Sequence, residues 1–550
     1  RTEGARTPQK WQVYEKCLEK RRPQRVFSKT TSLSLPRGQL TCTSDNKMAD
    51  RHHGKRKGGN NGGKKKGSSG SSRPVPVDSA EQRLIELIVK LGDGTNDVTL
   101  DRHLLDLAGT LGDPARHPVV IDTVFKCIAA LPYKTSIYAT LMALLLGDIG
   151  ISSSSSNSSA SQSDSNKEGN GEHSTAEKST PTASLERDEA VLSFVKRLSQ
   201  ELHKAMRNCD YYAIKFLLRF VSELVNCNVI SNEQATSLFT RILDILIAAT
   251  EIPQHLLDFY LTCVISALIF NTRSQATESN CLERLKQLMK HRKSTSWMSV
   301  FDPSKVLAPD VPQVAQVQFT PNDSIEHLFH NYRTWVETQD KALRVALRPF
   351  ELPGTQSKLS NTPSSSSDAR PPLLQDAFDW FDPLVSSTAS DVADLVTMKT
   401  YIDSQNSILS DLGLEPLTYP KDLTSCHFSN PKPMCYIFPE AITSGGGAAA
   451  MSPLDRWFTE DYALDIIHFF RSTHAEILKQ LYFCKRMDLQ DAHLCEIILK
   501  DLLRMPASPY PPVHHGVLLL DLVQKSPSFN AILVDAANRL FGSIPALHPT

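Results

Sequence analysis

Ile214-Lys-Phe-Leu-Leu-Arg-Phe-Val-Ser-Glu-Leu-Val225 sets Ile214, Leu217, Leu218, Val221, Leu224 and Val225 three and four residues apart. That spacing puts all six on one face of a helix. The same period runs outward in both directions. Downstream it continues through Leu238, Ile242, Ile245 and Leu246, then Leu256, Leu257, Tyr260, Val264 and Leu268, and closes at Leu282, Leu285, Leu288 and Met289. Upstream lie Val191, Phe194, Val195, Leu198 and Leu202.

Four shorter helical patterns come earlier. Ser79 with Gln82 fits a capping box ahead of Leu84, Leu87, Ile88 and Leu91, and Gly92 supplies a stop. Leu100, Leu104, Leu107 and Leu111 end at Gly112; Ile121, Val124, Phe125, Ile128 and Leu131 end at Pro132; Ile137, Leu141, Leu144 and Leu145 end at Gly147. Short connections between them read as antiparallel hairpins. Strand alternation is almost missing from 79–293, and the hairpins recur at the spacing of armadillo or HEAT-type units. The predicted fold is all-α: an α-solenoid of antiparallel helical hairpins, with a disordered N-terminal tail and disordered insertions.

Composition divides the chain. Residues 1–77 are expected to be a disordered basic region. Within it, 1–47 lack a hydrophobic period, and two readings stand: upstream sequence read through into the chain, or a disordered extension. Residues 78–293 are expected to form a first helical domain of the middle-domain type, interrupted by a polar, Ser-rich insertion at 152–186. A Pro-bearing linker at 294–322 leads to a second helical domain at 323–550, with flexible gaps at 353–372 and 443–453. Helices are predicted over Ser324–Leu347, 454–484, 490–504, 512–525 and 528–541. Apolar periodicity reaches close to the end without a polar cap, so the second domain is expected to be incomplete.

The chain has 550 residues, a formal net charge of +0 and 40% hydrophobic residues. A protein gripping nucleic acid along its whole length is normally basic. Contact with nucleic acid is therefore expected to be local or made through a partner. The eleven cysteines are scattered, none in Cys-x-x-Cys, and Cys127 and Cys263 fall on apolar helix faces. This pattern fits reduced, buried thiols. No signal peptide and no apolar run long enough to span a membrane is found.

No catalytic set, metal site or cofactor is expected. Gly58 to Lys64 has the glycine spacing of a phosphate loop, but Lys65 follows instead of Ser or Thr, and no strand precedes it. The pairs His52-His53 and His514-His515 have no nearby Cys or carboxylate to complete a ligand set, so they read as solvated or packed. The sequence contains no His-Glu-x-x-His and no Gly-x-Ser-x-Gly.

Two basic features carry the functional expectations. Lys55-Arg56-Lys57 and Lys64-Lys65-Lys66 are paired clusters in a stretch, 48–77, where eight Lys and Arg face the single acid Asp50. An extended chain of this kind fits the acidic grooves of an import receptor. Attraction to RNA and a merely solubilising tail are the competing readings. Arg284, Lys286, Lys290, Arg292 and Lys293 gather at a helix end near Trp297. Contact with RNA phosphates or an acidic partner is one reading; a polar face complementing the helix dipole is the other.

Several segments, in order, resemble the large subunit of the nuclear cap-binding complex. They are Leu84-Ile-Glu-Leu-Ile, Leu104-Leu-Asp-Leu-Ala-Gly109, Leu131-Pro-Tyr-Lys-Thr-Ser-Ile-Tyr-Ala-Thr-Leu141, Leu218-Arg-Phe-Val-Ser-Glu-Leu-Val-Asn-Cys-Asn-Val-Ile230 and, more weakly, Leu347-Arg-Pro-Phe350. The resemblance implies helical domains like the middle domain of the initiation factor four-G scaffold. It implies a non-catalytic platform that orders a small cap-binding subunit of RNA-recognition fold, and holds capped RNA mainly through that subunit. It further implies import-receptor binding through the N-terminal basic clusters and work with splicing and export factors, including nonsense-mediated decay. The location it implies is the nucleus, with shuttling to the cytoplasm. Family members continue for several hundred residues past this endpoint. The alternatives are a cytoplasmic translation-initiation or mRNA-decay scaffold of the same helical type, and an enzyme using the array as a shell.

Overall fold

A computed structural model describes residues 79–93, 96–111, 116–148, 181–249, 252–271, 278–292, 324–338, 346–360, 372–374, 376–381, 389–397, 399–413, 452–471, 473–484, 490–502 and 512–542. Arg83–Thr550 forms one compact unit; of the other, Arg1–Gln82, only the opening turn of the first helix is described. Eighteen α-helices and no strand occur among the described residues.

The first nine helices are α1 (Ser79–Lys90), α2 (Asp97–Thr110), α3 (His117–Ala130), α4 (Thr135–Asp148), α5 (Pro181–Arg207), α6 (Tyr211–Asn226), α7 (Asn232–Ala248), α8 (Gln254–Phe270) and α9 (Glu278–His291). The other nine are α10 (Ser324–Thr338), α11 (Pro353–Ser360), α12 (Ala389–Thr397), α13 (Lys399–Asp411), α14 (Pro453–Phe469), α15 (His474–Cys484), α16 (Asp491–Leu502), α17 (Pro512–Lys525) and α18 (Pro527–Gly542). Their starts obey capping chemistry. Asn96 accepts from the Thr99 N–H at 2.8 Å, and Asp210 from the Ala213 N–H at 3.2 Å. Ser231 and Gln234 form a reciprocal capping box at α7, and Ser452 caps α14. The corner after α6 closes with Asn228 in the left-handed region, its N–H bonded to the Val225 carbonyl and the Val229 N–H to the Leu224 carbonyl. Asn tolerates that conformation where most residues do not.

Alternate helices stack in one row: α2 on α4, α4 on α6, α6 on α8, α8 on α10, α10 on α14, α14 on α16 and α16 on α18. A second row is visible where α7 meets α9 and α15 meets α17. Two rows of alternating helices are what a solenoid of hairpins requires, because each hairpin buries its apolar face against its neighbours. The first row carries from α8 through α10 to α14, on either side of the 294–322 stretch.

The apolar residues of the sequence patterns make the core, with Ile88, Leu100, Leu104, Val124, Ile128, Val195, Leu218, Val221, Leu238 and Val264 fully enclosed. Leu87 departs from its pattern and is 57% exposed. The C-terminal end of α1 is fixed from a distance. Lys134, buried in the short 3-10 turn Pro132–Lys134, donates to the Val89 carbonyl at 2.7 Å and pairs with Asp93 at 2.6 Å. A cation at a helix C-terminus answers the unbonded carbonyls there. Burial pushes the Lys134 ammonium down from its usual range, and Asp93 partly restores it.

Several boundaries differ from those the sequence predicts. Pro181 opens α5 inside the Ser-rich stretch expected to run to 186; proline suits a first helical turn. α10 ends at Thr338, and residues 346–348 are not helical, so no single helix reaches Leu347. The predicted 454–484 helix is two helices, because the turn at Phe470 and Arg471 separates α14 from α15.

The largest difference is at 353–372, expected to be a flexible gap. Its first part is helix α11, and the 346–360 segment lies back across α2 and α4 with Pro349 and Phe350 buried. After it, residues 372–374 and 376–381 form a strap over α5 and the α6–α7 corner, with bends at Leu373, Asp376, Trp380 and Phe381. α12 then seats on α5 and α7.

Candidate functional site

Helix α6 is buried along almost its entire length, charged residues included. Four residues apart, Lys215 and Arg219 lie on one side of it, and both are fully enclosed. Their partners are Asp461 and Asp465, also four apart, on α14. Lys215 Nζ bonds to Asp461 at 2.9 Å and to Asp465 at 2.8 Å; Arg219 Nη1 bonds to Asp465 at 3.0 Å and its other terminal nitrogen to Asp461. Two cations and two carboxylates thus close a neutral square. Arg219 also sits over the Phe270 and Tyr462 rings, 5.3 and 5.0 Å from their centroids. Burial alone would lower its pKa; the two carboxylates outweigh that and hold it above the ordinary value.

A polar ladder continues from the square along α6 to α8. Arg219 Nε donates to Ser266 Oγ at 3.0 Å, Ser222 to the Ala267 carbonyl at 2.6 Å and Asn226 to the Phe270 carbonyl at 2.7 Å. Asn226 also donates to Glu223 at 3.1 Å. Burial raises the Glu223 carboxyl from 4.5 to about 7. The stretch Leu218–Ile230 therefore does more than fill space: its polar residues fix the register between α6, α8 and α14.

The opposite face of α14 carries a second charged layer. Arg456 pairs with Glu496, and Lys500 with Glu460 at 2.9 Å, both across to α16. Further along, the ring nitrogens Nε2 of His468 and His515 each lie 2.8 Å from the same Asp501 oxygen. His474 Nε2 is 3.0 Å from His514 Nδ1. Of the two readings the sequence left for His514-His515, solvated or packed, the structure shows packed, with His515 fully enclosed and against a carboxylate, Asp501, that their sequence setting did not reveal. Among the described residues, no group of three His, Cys, Asp or Glu is placed to hold a metal.

The basic helix end resolves into separate pairs. Arg284 reaches across to Asp244 on α7 at 2.5 Å, and that bond raises its pKa. Lys286 pairs with Glu283 on its own helix at 2.7 Å. Arg292 is buried and holds Asp258 on α8 through two bonds of 2.5 and 2.9 Å. Lys290 is exposed on the last turn of α9. The structure does not gather these four on one face. Lys293, Trp297, His52, His53 and the clusters Lys55, Arg56, Lys57, Lys64, Lys65 and Lys66 lie outside the described residues.

Sequence reasoning missed the charged seam of α14 entirely. One signal was present: Lys215 and Arg219 interrupt an apolar helix at i, i+4 spacing, as Asp461 and Asp465 do theirs. Charges so placed on a buried helix need partners. Among the described residues five cysteines are buried, Cys127 and Cys263 with them as their apolar helix faces predict, and Cys209 is half-buried. Burial pushes Cys127 up to about 11 and Cys495 up to about 12, and lifts Cys263 further. No helix among the described residues is long and apolar enough to cross a membrane.

Stacked hairpins joined by buried polar seams define a helical-repeat scaffold. Among curated proteins, the chain is similar to nuclear cap-binding protein subunit 1 of Aedes aegypti, 21% identical over 487 residues, which is 85% of this chain and 47% of that protein. It is also similar to the proteins of that name from Anopheles gambiae, 22% identical over 64% of this chain and 38% of that one, and Oryza sativa subsp. japonica, 28% identical over 23% of this chain and 13% of that one. No protein-family profile matches the chain. The resemblance to the large cap-binding subunit thus extends over most of the sequence, and the chain spans about half the length of the Aedes aegypti relative.

Proposed function

We propose that this chain is a non-catalytic scaffold subunit of a nuclear cap-binding complex. In this reading it supports binding of the RNA 5′ cap by a small subunit of RNA-recognition fold, and acts in pre-mRNA splicing, mRNA export and nonsense-mediated decay. The observation that carries it is the 85% of the chain aligned with a protein named as subunit 1 of that complex. The α-solenoid suits the role, since stacked hairpins offer an extended surface to several partners at once. Lys55, Arg56, Lys57, Lys64, Lys65 and Lys66 would engage an import receptor and bring the chain to the nucleus, with shuttling to the cytoplasm. At the end of α9, contact with RNA or an acidic partner falls chiefly to Lys290, because Arg284 and Arg292 already hold carboxylates.

The test is co-purification of the chain with a small cap-binding subunit, followed by retention on a cap-analogue resin. Retention of both, released by free cap analogue, is the expected result. Failure both of the chain and of the chain extended by the C-terminal part of a full-length relative, while that relative is itself retained in parallel, overturns the reading.

A further inference from the structure

The strap at 372–381 is bound in the manner of a peptide ligand. The Leu373 and Leu374 N–H groups donate to the Asn228 and Val229 carbonyls, each at 2.9 Å. Leu374 makes a parallel bridge with Ile230. Gln234 donates its side-chain amide to the Asp376 carbonyl, and Ser199 its hydroxyl to the Trp380 carbonyl. The Trp380 indole N–H donates to the Gln234 carbonyl at 2.9 Å. Phe381 stacks on His203 with ring centroids 5.0 Å apart. Leu373, Leu374, Phe378, Trp380 and Phe381 are all buried. Bonds to main-chain groups together with side chains in pockets are how extended peptides are recognised in trans.

The hydrogen bonds, bridge and ring stack just named all fall on α5, α7 and the α6–α7 corner, between residues 199 and 234. Those helices have their own reasons to hold shape: the left-handed corner at Asn228 presents the two carbonyls, the capping box sets α7, and the polar ladder fixes α6. The seat therefore does not need the strap in order to exist. It also carries a feature ill suited to a permanent lock. Neither ring nitrogen of buried His203 has a hydrogen-bond partner among the described residues. Two charged groups act on His203, Arg207 on its own helix and Asp379 on the strap, so the seat supplies a cation and its occupant the carboxylate.

We infer that the groove between α5 and the α6–α7 corner is a peptide-recognition site, with residues 372–381 as its cis occupant. The partner that displaces them is another protein's extended acidic segment, carrying an apolar pair followed by an aromatic pair beside Asp. This inference stands on the groove alone and does not depend on the cap-binding reading.

The test uses the full chain, wild type and Trp380→Ala/Phe381→Ala, with a fluorescein-labelled synthetic peptide of residues 371–383. The variant, its seat vacated, is expected to bind the peptide at least about tenfold more tightly than wild type, since the cis occupant reduces the competent fraction. Ser199→Trp added to the variant is expected to abolish binding by filling the seat. A folded variant that fails to bind, or binds no better than wild type, overturns the inference. Should the variant not fold, amide exchange in the wild type decides. Leu373 and Leu374 amides exchanging well ahead of those in α6 support a separable strap, and equal protection overturns it.

Discussion

Asp101 holds the N-terminus of a helix that begins more than two hundred residues later. Its carboxylate accepts from the Gly354 N–H at 2.7 Å, the Thr355 N–H at 2.8 Å and the Thr355 hydroxyl at 2.5 Å. Pro353 at the first position has no N–H to satisfy, so one side chain of α2 answers the exposed donors of α11.

Asp101→Ala is accordingly expected to destabilise the docking of 346–360 by about 1–2 kcal/mol, the range for loss of a helix cap. The check is limited proteolysis of this segment, which should be cut faster while α6 stays protected. Gly354→Ala is expected to act in the same direction, because its Cβ would stand 2.8 Å from an Asp101 oxygen. Unchanged cleavage in both variants would exclude the cap as the tie.

The buried square gives a contrasting pair of outcomes. Asp465→Ala alone leaves Lys215 and Arg219 short of a counter-charge and is expected to cost about 3–5 kcal/mol. Replacing all four charged residues by apolar ones of similar volume is expected to cost far less or nothing. Chemical denaturation of the two variants separates these cases. A single variant as stable as wild type would show the square to be energetically idle.

Stability should fall on the acid side. Burial holds His203, His327 and His514 down to about 4 and His493 down to about 3, against an ordinary 6.5. Each takes up its proton more readily unfolded, so its contribution is complete above 6.5 and is lost as pH falls toward 4. Glu223 works the other way: raised to about 7, it favours the folded chain below 4.5 and loses that contribution as pH rises to 7. Thermal midpoints are expected to drop between pH 6.5 and 4. Glu223→Gln, which keeps an acceptor for Asn226, should raise the midpoint at pH 8. A flat acid limb, or no gain in the variant, would count against these assignments.

Cys127, Cys263 and Cys495 should resist a neutral-pH thiol reagent until the chain unfolds, since burial keeps each protonated. Mass mapping after brief labelling, with and without denaturant, is the measurement. Prompt native labelling at Cys263 would contradict its placement in the core.

The helical array was readable because each hairpin writes its own period: Ile214 to Val225 and Leu256 to Leu268 need no distant information. The segments that return across the array were not readable. α11 looks like a Ser/Pro gap because its cap, Asp101, lies on another helix. The strap has no period because its donors answer carbonyls at Asn228 and Val229 rather than its own neighbours. The basic cluster at 284–293 was visible as composition, but its dispersal was not. Asp244 and Asp258, which claim Arg284 and Arg292, sit on the helices before it. The two-residue turn at Phe470 is likewise silent, since apolar spacing continues through it.

Those returning segments change how the molecule comes apart. In a stacked row each helix is secured only by the next ones along, so an array of this kind frays from its ends. Pinning 346–360 onto α2 and α4 ties that later segment to the early hairpins, whereas 372–381 rests on its seat and can leave it without loosening the array. The cost is kinetic: both segments close long loops, so they are expected to form after the hairpins they meet.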